Sequence, residues 1–387
     1  MNTKNLHVAI DVSPISFSRG RRGFRRFVSI LMNALAGIRD SNRYTLLSQD
    51  KTLNQFLPRG DFRFHVEDPR RRIPMLHRRP SWIGHLGRLF LSDVDVMHFP
   101  CTDIWYGVPR GRSVVTLHDF APLHFPERFF KQAREEKQYR VLLERIAENA
   151  NFIVTISDST REEAMKYLKV ESRRVRTVYN ALDPRLLKKE EPSSKEDLRQ
   201  RGVRKPFFLF VGGPDFRKNI PLLLEAFSLY RDQGGRANLV LAGWQDPSNP
   251  NYYPPLGPLL EKSKYQKDIG WLSQVTDSEL PGIYSEALAL IFPSQYEGFG
   301  MPMVEAMYFG TPVIATRTSC LPEIAGDAAL FAEASRIEIA KAMNEIEASQ
   351  SLRERLIRLG RRRAEFFMPE RFAREMIEVY ERVSSSP

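Results

Sequence analysis

Short, wholly apolar runs recur along the chain, each followed by a longer stretch in which apolar residues return every three or four positions. LHVAIDV (6–12), YTLLS (44–48), DVMHF (95–99), SVVTL (113–117), NFIVTIS (151–157) and RTVYN (176–180) read as strands. Several are apolar throughout rather than alternating. That suits parallel strands covered by helices on both faces. A polar, charged stretch, PRLLKKEEPSSKEDLRQRGVRK (184–205), then interrupts the pattern and reads as a linker. Beyond it the strand-like runs restart: PFFLFVGG (206–213), NLVLAG (238–243), KDIGWL (267–272), ALALIFPS (287–294) and PVIAT (312–316). Strand–helix–strand repetition implies right-handed βαβ units in doubly wound α/β sheets. The restart implies two such domains in tandem. The last helix, ERFAREMIEVYERV (370–383), carries Phe372, Met376, Val379 and Val383 on one stripe and must dock.

Composition narrows the class. A chain of 387 residues is long for one ordinary domain and comfortable for two. An apolar content of 42% supplies real cores, yet no run is long enough to span a bilayer. The opening MNTKNLHVAIDVSP sets Asp11 inside its only short apolar run, which predicts a buried first strand rather than a signal peptide. Two distant cysteines, Cys101 and Cys320, make neither a disulfide framework nor a metal cluster, and a cytoplasmic protein is expected. Lys and Arg outnumber Asp and Glu by 58 to 47, a net charge of +11 that favours phosphate-bearing partners. The excess is patchy: RGRRGFRR (19–26) and PRRRIPMLHRRP (69–80) each carry five arginines.

Two stretches carry candidate chemistry. In ALALIFPSQYEGFGMPMVEAMYFG a buried strand ends near Phe292, a loop follows, Pro302 suits a first helical turn and Gly310 suits a helix end. Glu297 therefore falls in the loop and Glu305 early in the helix. Gly298 and Gly300 let backbone approach a ligand closely, and a helix start favours an anion. Two carboxylates beside a phosphate need other work, and sugar hydroxyls are their natural donors. Phosphate and polyol in one site together describe a nucleotide-sugar. In FVGGPDFRKNIPLLLEAF (210–227) a strand ends at Gly212 and Gly213, and Asn219 is placed to cap a helix with Pro221 near its start. Arg217 and Lys218 stand just before that helix, where its dipole disfavours cations. A diphosphate bound between them resolves the conflict. Open α/β sheets bind ligands beyond the carboxyl ends of their strands, and with two such domains the cleft between them is the default site.

Together these residues resemble glycosyltransferase family 4, retaining enzymes of the GT-B fold. Glu297 and Glu305 match the family's E-x7-E signature, and PSQYEGFGMPMVEAMYFGTPVIATRTSCLPEIAGDAALF follows its pattern almost throughout. FVGGPDFRKN resembles its phosphate-binding strand and loop; DVDVMHFP, VVTLHDFAPLHFPE, TISDSTREE and VYNALDP resemble landmarks of its N-terminal domain. The resemblance implies an acceptor-binding Rossmann-like domain over residues 1–190, completed by a C-terminal helix at 370–387 that crosses back to it. It also implies a nucleotide-sugar-binding domain over 200–369. Carried over by position, Glu297 contacts the donor sugar's hydroxyls and Glu305 holds the ribose. Gly298, Phe299, Gly300 and Met301 offer backbone N–H groups, and Gly213 lies in the phosphate-binding loop. Arg217 and Lys218 bind the diphosphate, and His118 reaches the sugar from the first domain. Two departures stand out: GFRRF (23–27) puts Arg25 where the family often has a second glycine, and FFMPE puts Pro369 where it often has FSWE.

The implied reaction is transfer of a mannose- or rhamnose-like hexose from a GDP- or UDP-linked donor, with retention, to a lipid-linked or lipopolysaccharide glycan. With Arg217 and Lys218 on the leaving group, no metal and no other cofactor is expected. Arginines interleaved with Phe24, Phe27, Met75, Leu76 and Trp82 suit an anionic membrane surface, so a peripheral protein on the cytoplasmic face of the inner membrane is expected. Rival readings are a GT-B epimerase or phosphorylase, a nucleic-acid-binding protein suggested by charge alone, and a dinucleotide oxidoreductase. The last lacks G-x-G-x-x-G after its first strand. No zinc-finger spacing or aromatic RNA-binding signature accompanies the charge, and no nucleic-acid partner is expected.

Overall fold

The computed structural model describes residues 5–12, 22–38, 40–48, 64–67, 93–102, 112–187, 201, 203–243 and 250–385. The arginine-rich segment 69–80, Trp82 and most of the 184–205 stretch lie outside these residues. The chain divides into two compact units, Met1–Pro184 with Met368–Pro387, and Arg185–Phe367.

The first unit is built on seven parallel strands: β1 (His7–Asp11), β2 (Arg43–Leu47), β3 (Phe64–Glu67), β4 (Val96–Phe99), β5 (Ser113–Leu117), β6 (Phe152–Thr155) and β7 (Val175–Thr177). Their order across the sheet is β3-β2-β1-β4-β5-β6-β7, so the winding direction reverses between β1 and β4. Ala9, Phe99, Val115 and Ile153 form a core with Leu143, Ile146 and Ala164 of the helices Ala133–Asn149 and Asp158–Leu168. The helix Pro369–Ser384 belongs to this unit and packs on the helix Arg22–Gly37, with Phe372 edge-on to Phe27 at 5.8 Å. All four residues of its expected stripe are buried, joined by Tyr380. Burying each large apolar side chain contributes about 1.5–3 kcal/mol. Pro369 occupies the helix's first turn, where its missing N–H costs nothing, and the extended Met368 precedes it.

The second unit holds six parallel strands, β8 (Phe207–Val211), β9 (Asn238–Ala242), β10 (Ile269–Leu272), β11 (Ala289–Phe292), β12 (Val313–Thr316) and β13 (Ala329–Ala332), in the order β10-β9-β8-β11-β12-β13. Here the reversal falls between β8 and β11. Phe208, Phe210, Leu239, Leu241 and Ile291 pack under the helices Ile220–Asp232 and Arg336–Ala348. Two strands have no counterpart among the predicted runs. β3, FHVE, is a short edge strand between charged neighbours, and β13, ALFA, is half-exposed on the opposite edge. β3 has polar residues at two of its four positions, and β13, though wholly apolar, is too short to be told from a buried helical segment.

Candidate functional site

In a doubly wound sheet the loops leaving two adjacent strands diverge where the winding reverses, and the crevice they leave is the place for a ligand. In the second unit those loops follow β8 and β11. The first contains Gly212, Gly213, Arg217 and Lys218; the second contains Ser294 through Gly300. They are joined by backbone, the amide of Gln295 donating to the carbonyl of Arg217 at 2.7 Å. They are also joined by side chains. Lys218 Nζ donates to Glu297 Oε1 at 2.7 Å, and Ser294 Oγ donates to the same oxygen at 2.8 Å. Lys218 also lies 4.7 Å from the centre of the Phe292 ring.

Arg217 is held differently. Its guanidinium forks onto both oxygens of Asp215 and donates to the Tyr252 hydroxyl at 2.6 Å. Asp215 also accepts the Arg217 amide and so starts the short 3-10 turn Phe216–Lys218. Burial pushes the Asp215 carboxyl up, but the adjacent Arg217 charge and its hydrogen bonds outweigh burial and hold it below the ordinary aspartate value. Both expected phosphate-binding cations are thus engaged by carboxylates within the second unit.

Asn219 corrects one expectation. It is left-handed, with φ of 54°, and makes no side-chain cap to the helix Ile220–Asp232. An N-cap needs extended backbone to turn its side chain toward the first amides, and Asn219 instead closes the preceding turn in a conformation asparagine tolerates. Pro221 does fall in the helix's first turn.

The predicted helix after Glu297 runs from Met301 to Phe309, entered through Gly300 at φ 98° and ended at Gly310 at φ 78°. Gly298 and Phe299 are buried, and the Phe299 ring meets Phe367 edge-on at 5.5 Å. Met301 is half-buried at the first helical position. Glu305 lies mid-helix, fully buried, with Oε2 accepting from the Tyr284 hydroxyl at 2.9 Å. At the end of β8 the unusual backbone belongs to Gly212, and Gly213 beside it is half-buried. A Cβ on Gly243, at the end of β9, would fall 2.1 Å from the Gly212 carbonyl oxygen.

His118 belongs to the first unit and follows β5. Its Nε2 lies 2.7 Å from the Pro100 carbonyl, so that nitrogen carries the proton and Nδ1 is left as an acceptor. The rings of Phe24 and Phe27 meet it edge-on at 4.9 and 4.7 Å. Burial holds its pKa below the usual histidine value, against the opposing pull of the Pro100 carbonyl and Asp119. Arg25 is exposed on the helix Arg22–Gly37, and neighbouring Arg26 lies 3.9 Å from the buried Asp183. Among the described residues no three His, Cys, Asp or Glu side chains are grouped to hold a metal ion. The two cysteines are free thiols.

Several residues around Glu297, Glu305 and Arg217 escape a reading of the sequence, among them Ser319, whose Oγ accepts the Glu297 amide. Asp215 could have been found, since an acid two positions before Arg217 fits a turn start. Tyr252, Tyr284 and Ser319 come from other loops and elements, and no local spacing marks them.

Two family models together match most of this chain: Glycosyltransferase Family 4 over residues 25–186 and Glycosyl transferases group 1 over residues 194–363. The protein belongs to this glycosyltransferase family and has the GT-B fold. It is similar to O-antigen chain mannosyltransferase B of Escherichia coli, at 30% identity over 59% of this chain and 58% of that one. It is also similar to O-antigen chain mannosyltransferase RfbU of Salmonella typhimurium, at 26% identity over 58% of each. The match thus spans 58% of the length of either relative. Among solved structures, Anabaena Alr3699/HepE in complex with UDP and glucose superposes with a TM-score of 0.74 at 15% identity, covering 97% of this chain and 100% of that one.

Proposed function

We propose that the protein is a retaining hexosyltransferase that moves a hexose, mannose first among candidates, from a nucleoside diphosphate sugar to a glycan acceptor of the lipopolysaccharide or polysaccharide kind. The observation that carries this reading is the meeting of Lys218 and Glu297 at the winding reversal between β8 and β11. A cation suited to a pyrophosphate and a carboxylate suited to sugar hydroxyls share one spot. The mannosyltransferase relatives support the hexose, and the UDP and glucose bound by the Anabaena neighbour support the donor class.

In this reading Lys218 leaves Glu297 for the departing diphosphate and neutralises charge as the glycosidic bond breaks. Arg217, oriented by Asp215 and Tyr252, supports the same group. Glu297 then accepts from the sugar's hydroxyls, Glu305 and Tyr284 serve the ribose, and the amides around Gly298–Met301 face the phosphate. His118, kept neutral, accepts through Nδ1 from a sugar hydroxyl. The acceptor attacks from the leaving group's side, and the departing phosphate takes its proton, which retains configuration. Neither a metal nor another cofactor has a part in this scheme.

The arginine-rich N-terminal segments are proposed to meet an anionic membrane surface, as a peripheral protein on the cytoplasmic face would; no helix among the described residues is long and apolar enough to cross a bilayer. Equal flotation with neutral and anionic liposomes would remove that proposal. The catalytic reading is tested by incubating the protein with GDP-mannose or UDP-glucose and glycan acceptors, with NMR of the product's anomeric centre. A product of retained configuration is expected. Binding of neither donor, or an inverted product, overturns the reading.

A further inference from the structure

The loop that follows β12, residues 317–320, together with the last residue of β12, grips the Glu297 loop at four points. Thr316 and Thr318 each donate a hydroxyl to the Ser294 carbonyl at 2.7 Å. Ser319 Oγ accepts the amide of Glu297 at 2.9 Å, and the Cys320 thiol donates to the carbonyl of Glu297 at 3.1 Å. Both polar groups of the Glu297 main chain are therefore held by neighbouring residues of one loop. Ser294, anchored through its carbonyl, returns its own hydroxyl to the Glu297 carboxylate.

Ser319 does this at φ of 43°, in the left-handed region. Serine occupies that region less readily than asparagine, aspartate or glycine. Strained backbone persists where its surroundings over-determine it, and such strain gathers at functional sites. The side chain is itself solvent-exposed, so core packing does not account for the conformation. What the left-handed turn achieves is a hydroxyl under the Glu297 amide and, one residue on, a buried thiol under its carbonyl.

We infer that Ser319, with Cys320, is a positioning residue that sets the aim of the Glu297 carboxylate toward the donor sugar. This rests on the donor reading above. It assigns a role to a segment that holds the Glu297 backbone and, at Ser294, the carbonyl of the residue whose hydroxyl reaches the Glu297 carboxylate. A rigid peptide on either side of Glu297 matters because a carboxylate must meet paired hydroxyls within hydrogen-bond reach, and a small misalignment forfeits that contact.

The test compares binding of GDP with GDP-mannose, and of UDP with UDP-glucose, by calorimetry. The ratio of the two constants in a pair isolates the sugar's contribution. Wild type is expected to hold the preferred sugar nucleotide more tightly than its bare diphosphate. Ser319→Gly relieves the backbone and removes the acceptor; it should lose about 5- to 10-fold of that sugar preference while binding the bare diphosphate normally. Ser319→Asn, which tolerates the same φ and carries an acceptor, should restore part of it. Cys320→Ser should resemble wild type, and Cys320→Ala should resemble Ser319→Gly. Adding Ser319→Gly to Glu297→Gln should change the sugar preference no further, since the two act through one group. A Ser319→Gly protein with unchanged preference overturns the inference and leaves the donor reading standing. So does one whose loss appears equally in the bare diphosphate or adds fully to Glu297→Gln. Wild type that binds neither pair overturns the donor reading and this inference with it.

Discussion

Lys218 Nζ and Glu297 Oε1 lie 2.7 Å apart, brought together across 79 positions of sequence. Each side chain is mostly buried, at 16% and 13% exposure. The pair answers an electrostatic problem in the absence of donor: a lone cation beside a helix start, and a lone carboxylate over a glycine-rich loop, are both costly half out of water. In the proposed function a nucleotide-sugar would replace each partner, phosphate oxygens for Lys218 and hydroxyls for Glu297.

The two halves should therefore fail differently. Lys218→Ala is expected to weaken binding of the bare nucleoside diphosphate and to lower transfer by 100-fold or more, about 2.7 kcal/mol in the barrier. Glu297→Ala should lower transfer comparably while leaving bare diphosphate binding within a few-fold of wild type. Steady-state transfer combined with calorimetry on GDP and UDP checks this. Equal loss of diphosphate binding in both variants would contradict the division of roles.

Arg217 relies on shape as well as charge. Its fork matches both oxygens of Asp215 and leaves a donor for Tyr252, a geometry lysine cannot reproduce. Arg217→Lys should cost at least tenfold in kcat/KM although the charge is kept, and Tyr252→Phe a few-fold. The depressed Asp215 carboxyl adds a pH signature. Its folded value lies below its unfolded one, so its contribution to stability is complete above the unfolded value near 3.8 and disappears as pH falls through the folded value. Asp215→Asn should flatten the acid limb of the unfolding midpoint below about pH 4.

Glu297, Lys218 and the strands around them are legible because chemistry and architecture share one stretch. An apolar run ends, glycines follow, and the charged residue stands at the strand's end, where open sheets bind ligands. The edge strand β3 is hidden because polar residues break its short run, and β13 because four apolar residues, ALFA, read equally well as part of a helix. Asn219 misleads because a capping asparagine and a left-handed asparagine look the same in sequence. Ser319 and Tyr252 are illegible for another reason: their partners, Glu297 and Arg217, lie 22 and 35 positions away, and only the folded sheet brings them together.

The ends of β8 and β9 tolerate no side chain between them. A Cβ on Gly243 would sit 2.1 Å from the Gly212 carbonyl oxygen, a backbone atom that cannot swing aside, and φ of 159° compounds the strain. Gly243→Ala should displace the Gly212–Gly213 turn and, through it, Lys218, whose side chain packs within 3.3 Å of the position a Cβ on Gly212 would take. The expected outcome is loss of several kcal/mol of stability or failure to accumulate as folded protein, measured by denaturant unfolding. Gly257→Ala, where nothing lies within 4 Å, is the matched control and should behave as wild type.

In the first unit, His98 is fully buried between the Tyr380 hydroxyl on Nδ1 and the Thr116 hydroxyl on Nε2, each at 2.9 Å. Burial, with a smaller push from His118, lowers its pKa from 6.5 to about 3, so it is neutral in the folded chain. The unfolded chain takes up this proton near pH 6.5 and the folded chain only near 3, so between those values the unfolded state binds more protons. Stability is complete above 6.5 and falls as pH drops toward 3, at up to about 1.4 kcal/mol per pH unit for one such group. His118, shifted the same way, adds to the fall. His98→Gln keeps an amide for both hydroxyls but cannot titrate. Its unfolding midpoint should be lower than that of wild type at pH 7.5 and should then decline less steeply between pH 6.5 and 4. Because Tyr380 sits on the C-terminal helix, the same variant should loosen that helix first, read as faster amide exchange across residues 369–384. Parallel midpoint curves for the two proteins would mean that His98 is not the group whose protonation unfolds this unit.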